Sequence, residues 1–404
     1  MRILCLTSRL PYPPNRGDRS RVFNFIRHLS RAHQLSLVSF IAQESEREHL
    51  ASLRSYCQDV HTVTMSQPRS ALSVLFNLWR RDPLQTLYYR SEAMRRLLDR
   101  MLTENQFDVI YVHLFRMAPY VAHRPDFYRV VDLTDVISQE LGRSMPYRGL
   151  ASRLLYKLEA PRIRRYECHV AQIFEETWLI SEADRQALIT ACPTDNVQVV
   201  PIGVDEERFY PTGQPCQPAS LIFVGHLSVF HNVDAVIYLV RDILPLVRRQ
   251  IANCTLTIVG AEPTARVRAL DAEPGVSVTG FVPDLNDYLN RAAVFVAPLR
   301  FAAGVQTKVL EAMAAGRPVV TTSVVNAGLG ARPSRELLIA DDPQTTADQI
   351  AALLRDEALR TQIGQAGLHF VRQEYTWDHV VERVNAIEES LAARPAVASG
   401  GQAR

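Results

Sequence analysis

Two rounds of one pattern constrain this chain more than any other feature. Short apolar, β-branched runs alternate with longer segments whose apolar residues recur at helical spacing. In the first half the runs are Ile3–Thr7, Leu35–Ile41, Val60–Met65, Asp108–Val112, Arg129–Leu133 and Trp178–Ser181, with helical segments such as Ser20–Ala32 and Glu44–Tyr56 between them. In the second half they are Leu221–Gly225, Leu256–Gly260, Val276–Thr279, Val294–Ala297, Val319–Thr322 and Leu337–Ala340. Helical patterns there cover Val233–Arg249, Leu285–Ala292, Gln306–Ala315 and Thr345–Leu354. Strands alternating with helices in this way form parallel sheets covered by helices, and two successive doubly wound α/β units are predicted.

The boundary is expected where Pro193, Pro201, Gly203, Pro211, Gly213, Pro215 and Pro218 rule out a lasting helix. That gives one domain over residues 1–195 and a second over 196–376, then a last helix at 377–392 returning to the first domain and a disordered tail at 393–404. A length of 404 residues agrees with two cores rather than one. The net charge of +2 gives no argument for nucleic acid as a partner, but its distribution is uneven. Residues 1–200 carry 27 Arg and Lys against 21 Asp and Glu, and residues 201–404 carry 18 against 22. An anionic partner or surface therefore suits the first half only.

The six cysteines are scattered and form no Cys-x-x-Cys pair, which argues for reduced thiols and against zinc or disulfide frameworks. The opening apolar run turns polar by Ser8, too early for a signal peptide, and no stretch approaches the ~20 apolar residues of a membrane span. A cytoplasmic protein is expected. Within Ser70–Leu102, Phe76, Trp79, Tyr88 and Tyr89 mix with Arg80, Arg81, Arg90, Arg95 and Arg96. This suits either peripheral contact with an anionic membrane or a helix packed on its own sheet. Arg148–Arg165, with Glu159 inside it and Glu167 just beyond, reads as a solvated, salt-bridged helix face.

Open α/β sheets bind ligands where a strand's carboxyl end gives way to a helix. After the first strand, Ser8–Asp18 contains Gly17 just before a helix whose amides can point at phosphate or sugar oxygens. After Leu221–Gly225, a loop beginning at His226 leads to Asn232, a good N-cap for a helix from Val233. After Val294–Ala297 come Arg300 and then Gly304, Val305, Gln306 and Thr307, a turn whose free amides make an anion site. Lys308, one of only two lysines, falls in the first helical turn, where a cation is unfavourable for the helix but suits a bound pyrophosphate. Glu311 lies one turn along on the same face, and its carboxylate can accept from both vicinal hydroxyls of a ribose. A plain i,i+3 surface ion pair is the competing reading. No Gly-x-Gly-x-x-Gly occurs, which disfavours a dehydrogenase.

Gly304–Val320, with its Glu-Ala-Met-Ala-Ala-Gly-Arg-Pro-Val-Val string, resembles the donor-site signature of the family-four retaining glycosyltransferases. Those are GT-B enzymes, two Rossmann-like α/β domains facing across a cleft. Pro201–Asp205, Phe223–Gly225, Asn232–Ala235, Gly280–Asp284 and Ala293–Pro298 resemble the rest of that family's second domain. Pro13–Asp18 and Phe107–His113 resemble its glycine loop and the central strand of its first domain. In detail the chain is similar to the exopolysaccharide- and exosortase-associated sugar transferase branch.

The resemblance implies that Glu311 binds the donor ribose, Lys308 sits by the diphosphate, Gly17 lets the first loop approach the β-phosphate, and His113 lines the cleft near the sugar. Gly225, His226, Asn232, Arg300, Gly304, Val305, Gln306 and Thr307 would complete the donor site. Two departures stand out. Ala303 occupies the place of a Glu that usually faces the sugar, and His226 and His231 replace a common Arg and Lys. Neutral histidines hold a diphosphate weakly, so its charge falls on Lys308, with Arg300 and the helix amides assisting.

The implied reaction moves a hexose from a UDP- or GDP-linked donor, with retention and without metal or cofactor. The acceptor would be a glycan or lipid-linked glycan on the first domain, at the inner face of the membrane. A nucleotide-sugar 2-epimerase and a non-catalytic nucleotide-sugar-binding scaffold on the same fold are the alternatives.

Overall fold

The computed structural model describes residues 1–14, 17–77 and 79–393, so the expected tail lies outside the described residues from 394 onward. The first sheet comprises β1 (Arg2–Thr7), β2 (Gln34–Ile41), β3 (Asp59–Thr64), β4 (Val109–His113), β5 (Tyr128–Thr134), β6 (Glu176–Leu179) and β7 (Val197–Val199). All its pairings are parallel, in the order β3-β2-β1-β4-β5-β6-β7. The second comprises β8 (Ser220–Val224), β9 (Thr255–Val259), β10 (Val276–Gly280), β11 (Val294–Ala297), β12 (Val319–Thr321) and β13 (Leu338–Ile339). It too is parallel, in the order β10-β9-β8-β11-β12-β13.

Ile3–Leu6 and Val294–Ala297 are buried at every position, because helices cover both faces of each sheet. Under the first sheet Phe25 stacks on Tyr111 at 4.0 Å, and Trp178 closes the cluster. Strand order reverses once in each sheet, between β1 and β4 and between β8 and β11. These are the crevices where a doubly wound sheet leaves room for a ligand.

Val197–Val199 pairs with β6 as an edge strand, so the first sheet runs past the boundary expected at residue 195. Pro193 and Pro201 flank this short strand rather than interrupt it. The chain then crosses to the second domain, and it crosses back at Tyr375–Trp377. The two crossings touch: Val204 N–H donates to the Tyr375 carbonyl at 2.9 Å, and a Cβ on Gly203 would come 2.6 Å from the Trp377 ring. The last helix, Asp378–Ala392, packs on the helix Gly17–Leu29, and Arg383 pairs with Glu176 of the first domain.

The first basic segment packs on its own sheet, one of its two sequence readings, and the second departs from its reading. Ser70–Leu102 spans three helices, Gln67–Phe76, Leu84–Tyr88 and Glu92–Glu104, and buries Tyr89, Met94, Leu98 and Leu102. Among the described residues there, Leu72, Leu75, Phe76 and Trp79 are large exposed apolar side chains. The second basic segment lies mostly in the helix Leu150–Ile173, and its two acids turn inward. Glu159 accepts from the Leu84 amide at 2.5 Å, keeping a 3.8 Å contact with Arg162, and Glu167 accepts from the Ser138 amide and hydroxyl. Leu150, Leu154, Leu155 and Leu158 are left exposed beside Arg153 and Lys157.

Candidate functional site

A cavity of 580 Å³ lies between the two domains and draws its walls from the carboxyl ends of both sheets. The second domain supplies Gly225, His226, Asn232, Ala303, Val305, Gln306, Thr307, Lys308 and Glu311. The first supplies Arg9, Gly17, Asp18, Leu114, Arg116, Asp135 and Glu140, and the segment joining the domains adds Arg208.

The second-domain wall is built on the helix Thr307–Ala314, capped at Gln306. The Thr307 and Lys308 amides have no acceptor within the helix and make an anion site at its start, while the Val309 amide donates back to the Gln306 carbonyl at 2.8 Å. Lys308 is 7% exposed; its Nζ donates to Asn232 Oδ1 and lies 5.4 Å over the Phe223 ring. Asn232 Nδ2 donates in turn to the His226 carbonyl at 3.0 Å. The helix here starts at Phe230 with Val229 as its cap, so Asn232 is inside the first turn and ties two loops together instead of capping. Gly225 is required by this arrangement, since a Cβ would come 2.8 Å from the Asn232 side chain.

Burial pushes the Lys308 ammonium down to about 7, with Glu311 opposing the shift. Burial also pushes the Glu311 carboxyl up to about 7, opposed by Arg208 and Lys308. Both groups therefore change charge near neutrality. His231, buried close to Lys308 and Arg148, is pushed down to about 3 and is neutral. It adds no charge to the wall.

Of the residues singled out in the sequence, Gly17, Gly225, His226, Asn232, Val305, Gln306, Thr307, Lys308 and Glu311 meet at this one cavity. Three do not line it. Arg300 is held by both Asp234 oxygens at 2.6 and 3.0 Å and lies 4.8 Å from the Tyr147 and Tyr238 rings. The carboxylate cancels its charge and the rings fix its direction. Gly304 adopts φ +54, and an added Cβ would lie 1.6 Å from Asp135 Oδ1, so it serves close approach of the two domains. His113 is buried at the end of β4, and burial pushes its imidazole down to about 4.

Arg9, Arg116, Arg208, Asp135 and Glu140 were not singled out. Arg9, Arg116 and Asp135 follow the carboxyl ends of β1, β4 and β5, which was the available signal. Arg208 supplies the cation that Arg300 does not. Arg116 donates to Ser8 Oγ at 3.1 Å and to Gln85 Oε1 at 2.8 Å, which fixes it in the wall.

Residues 218–356 match the family model described as glycosyl transferases group 1. The second domain is therefore similar to group 1 glycosyltransferase domains. Over the whole chain the fold is that of the two-domain GT-B glycosyltransferases. A structure of Anabaena Alr3699/HepE in complex with UDP-glucose superposes with a TM-score of 0.65 at 14% identity, covering 98% of this chain and 100% of that one. An uncharacterized 44.6 kDa protein in the cps region of Klebsiella pneumoniae is 20% identical over 386 residues, 93% of this chain and 96% of its own. A GDP-mannose-dependent α-(1-6)-phosphatidylinositol monomannoside mannosyltransferase of Mycobacterium tuberculosis is 29% identical over 215 residues. That match covers 48% of this chain and 55% of the mannosyltransferase, about half the length of each.

Proposed function

We infer that this protein transfers a hexose from a UDP- or GDP-linked donor to a glycan or lipid-linked glycan. The observation that carries this reading is the joining of Lys308, Glu311 and the free Thr307 and Lys308 amides on one cavity wall. Lys308 and the amides match a diphosphate, and Glu311 matches a ribose diol. The acceptor hydroxyl attacks the anomeric carbon on the face from which the nucleoside diphosphate departs, retaining configuration. The departing diphosphate takes the hydroxyl proton, while Lys308, Arg208 and the amides stabilise its growing charge without a metal ion. Arg9 and Arg116 on the opposite wall suit an anionic acceptor, such as a lipid-linked diphosphate glycan made for a surface polysaccharide.

None of the described helices is long and apolar enough to cross a membrane. The exposed Leu150, Leu154, Leu155 and Leu158 beside Arg153 and Lys157 support peripheral docking on the anionic inner leaflet, consistent with a cytoplasmic enzyme.

Hydrolysis of UDP- and GDP-sugars tests the reading: slow release of nucleoside diphosphate from one of them, without epimerisation, is expected. Binding without turnover in the presence of a lipid extract would favour the scaffold instead, a reading that Ala303 and the neutral His231 keep in play. Sedimentation with phosphatidylglycerol vesicles should fall at least tenfold for Leu154→Glu/Leu158→Glu, with hydrolysis unchanged.

A further inference from the structure

Asp135 follows the carboxyl end of β5, where Thr134 holds φ +66. A β-branched residue takes this left-handed conformation only under constraint, and such strain gathers at functional sites. The Asp135 amide donates to the Leu133 carbonyl at 2.8 Å, closing a tight turn that brings the carboxylate to the cavity. Its Oδ1 is buried against Gly304, beside the cavity, with no hydrogen-bond partner among the described residues.

The surroundings do not supply one. Asp184 accepts from the Val136 amide and Ser181, Glu140 is a second acid, and Arg21 donates through Nε to Asp132 at 2.6 Å and through Nη2 to the Val200 carbonyl at 3.0 Å, its Nη1 buried without a partner among the described residues. Burial, then Asp184 and Glu140, push the Asp135 carboxyl well above the usual carboxylate range. Three acids exclude an anionic ligand here and leave a hydroxyl-rich one. A hydroxyl both donates and accepts, so it pairs with either protonation state of a carboxyl.

The place opposite Asp135 is the turn at Ala303 and Gly304. Position 303 offers a methyl group, and Asp135 Oδ1 occupies the space where a Cβ on Gly304 would stand. With the diphosphate at Lys308 and the ribose at Glu311, the sugar is the part of the donor that reaches this corner. We propose that Asp135 is the carboxyl group that reads the donor hexose, hydrogen-bonding a sugar hydroxyl from across the cleft in place of a carboxylate that Ala303 cannot supply. The assignment rests on the glycosyltransferase reading.

Calorimetric titration with UDP, UDP-glucose, GDP and GDP-mannose separates the two. In Asp135→Ala, affinity for the accepted sugar nucleotide should fall about tenfold to a hundredfold, while that for the matching nucleoside diphosphate stays within about twofold. Ala303→Glu added to Asp135→Ala should restore at least about tenfold of the loss, because a carboxylate returns to the same space from the other wall. Asp135→Asn keeps the shape if the alanine variant unfolds, and its smaller loss should again be confined to the sugar nucleotide. Equal loss for nucleotide and sugar nucleotide, or no loss for either, would overturn the proposal. A wild-type protein that binds none of the four would overturn the glycosyltransferase reading itself.

Discussion

The two walls of the cleft come from sheets with the same strand order, yet they treat their polar groups in opposite ways. On the second-domain wall the groups are tied to each other: Lys308 to Asn232, Asn232 to the His226 carbonyl, Gln306 Nε2 to the Ala303 carbonyl. Beneath them Thr321 and Thr322 donate to the Ala297 and Leu299 carbonyls. On the first-domain side, Asp135 Oδ1 at the wall, and Thr7 Oγ1 and His113 Nε2 behind it at the ends of β1 and β4, are buried without partners among the described residues. The left-handed Leu114 and Thr134 stand at the same edge. An unmade buried hydrogen bond costs about 1–3 kcal/mol, so a ligand that supplies partners gains most on the first wall. One wall is assembled beforehand, and the other is completed by what binds.

The largest test breaks the assembled wall. Lys308→Ala removes the cation at the helix start and strips Asn232 of its donor, and should weaken UDP or GDP binding about 100-fold. Unchanged affinity in titration would show that the amides and Arg208 suffice. The next effect concerns pH. Glu311 must be ionised to accept from a ribose, and Lys308 must be protonated to meet a diphosphate. Both groups titrate at about 7 in the empty site, so affinity should peak near neutrality. It should fall on the acid side as Glu311 gains its proton and on the alkaline side as Lys308 loses its own, by up to about tenfold per pH unit. Glu311→Gln should flatten the acid limb and move the alkaline one to lower pH, because Lys308 loses the carboxylate that helps hold its proton.

What the sequence revealed about these walls follows from how far apart the partners lie in the chain. The parallel sheets were legible because each buried strand is a continuous apolar run. Val197–Val199 was not, since three residues between prolines carry no pattern of their own. Lys308 and Glu311 were legible because one helical turn brings them together. The link from Lys308 to Asn232 spans 76 residues, and no local spacing announces it. The approach of Asp135 to Gly304 joins two domains and is hidden for the same reason. Glu159 and Glu167 misled because helical periodicity shows which residues share a face, and not which face turns inward.

Asn232→Ala sharpens the comparison with a smaller effect. It leaves Lys308 in place without its acceptor, so nucleotide affinity should drop about fivefold to tenfold. The alkaline limb should also move to lower pH, because a buried ammonium that loses a hydrogen-bond acceptor gives up its proton more readily.

Arg300 carries the smallest expected effect on binding, and it separates sequence proximity from participation. It precedes the anion-binding turn and was expected to share the diphosphate's charge. In the fold its guanidinium grips Asp234 with two hydrogen bonds and lies between rings from both domains, Tyr147 and Tyr238. A cation already matched by a carboxylate adds little field at a distant phosphate. Arg300→Ala should therefore leave UDP or GDP affinity within about twofold while costing about 1 kcal/mol of stability, from a half-exposed ion pair and its ring contacts. Thermal unfolding and titration of the same sample check both halves. A binding loss like that of Lys308→Ala would mean that Arg300 leaves Asp234 when the donor arrives, and that the second wall is less completely assembled than its hydrogen bonds indicate.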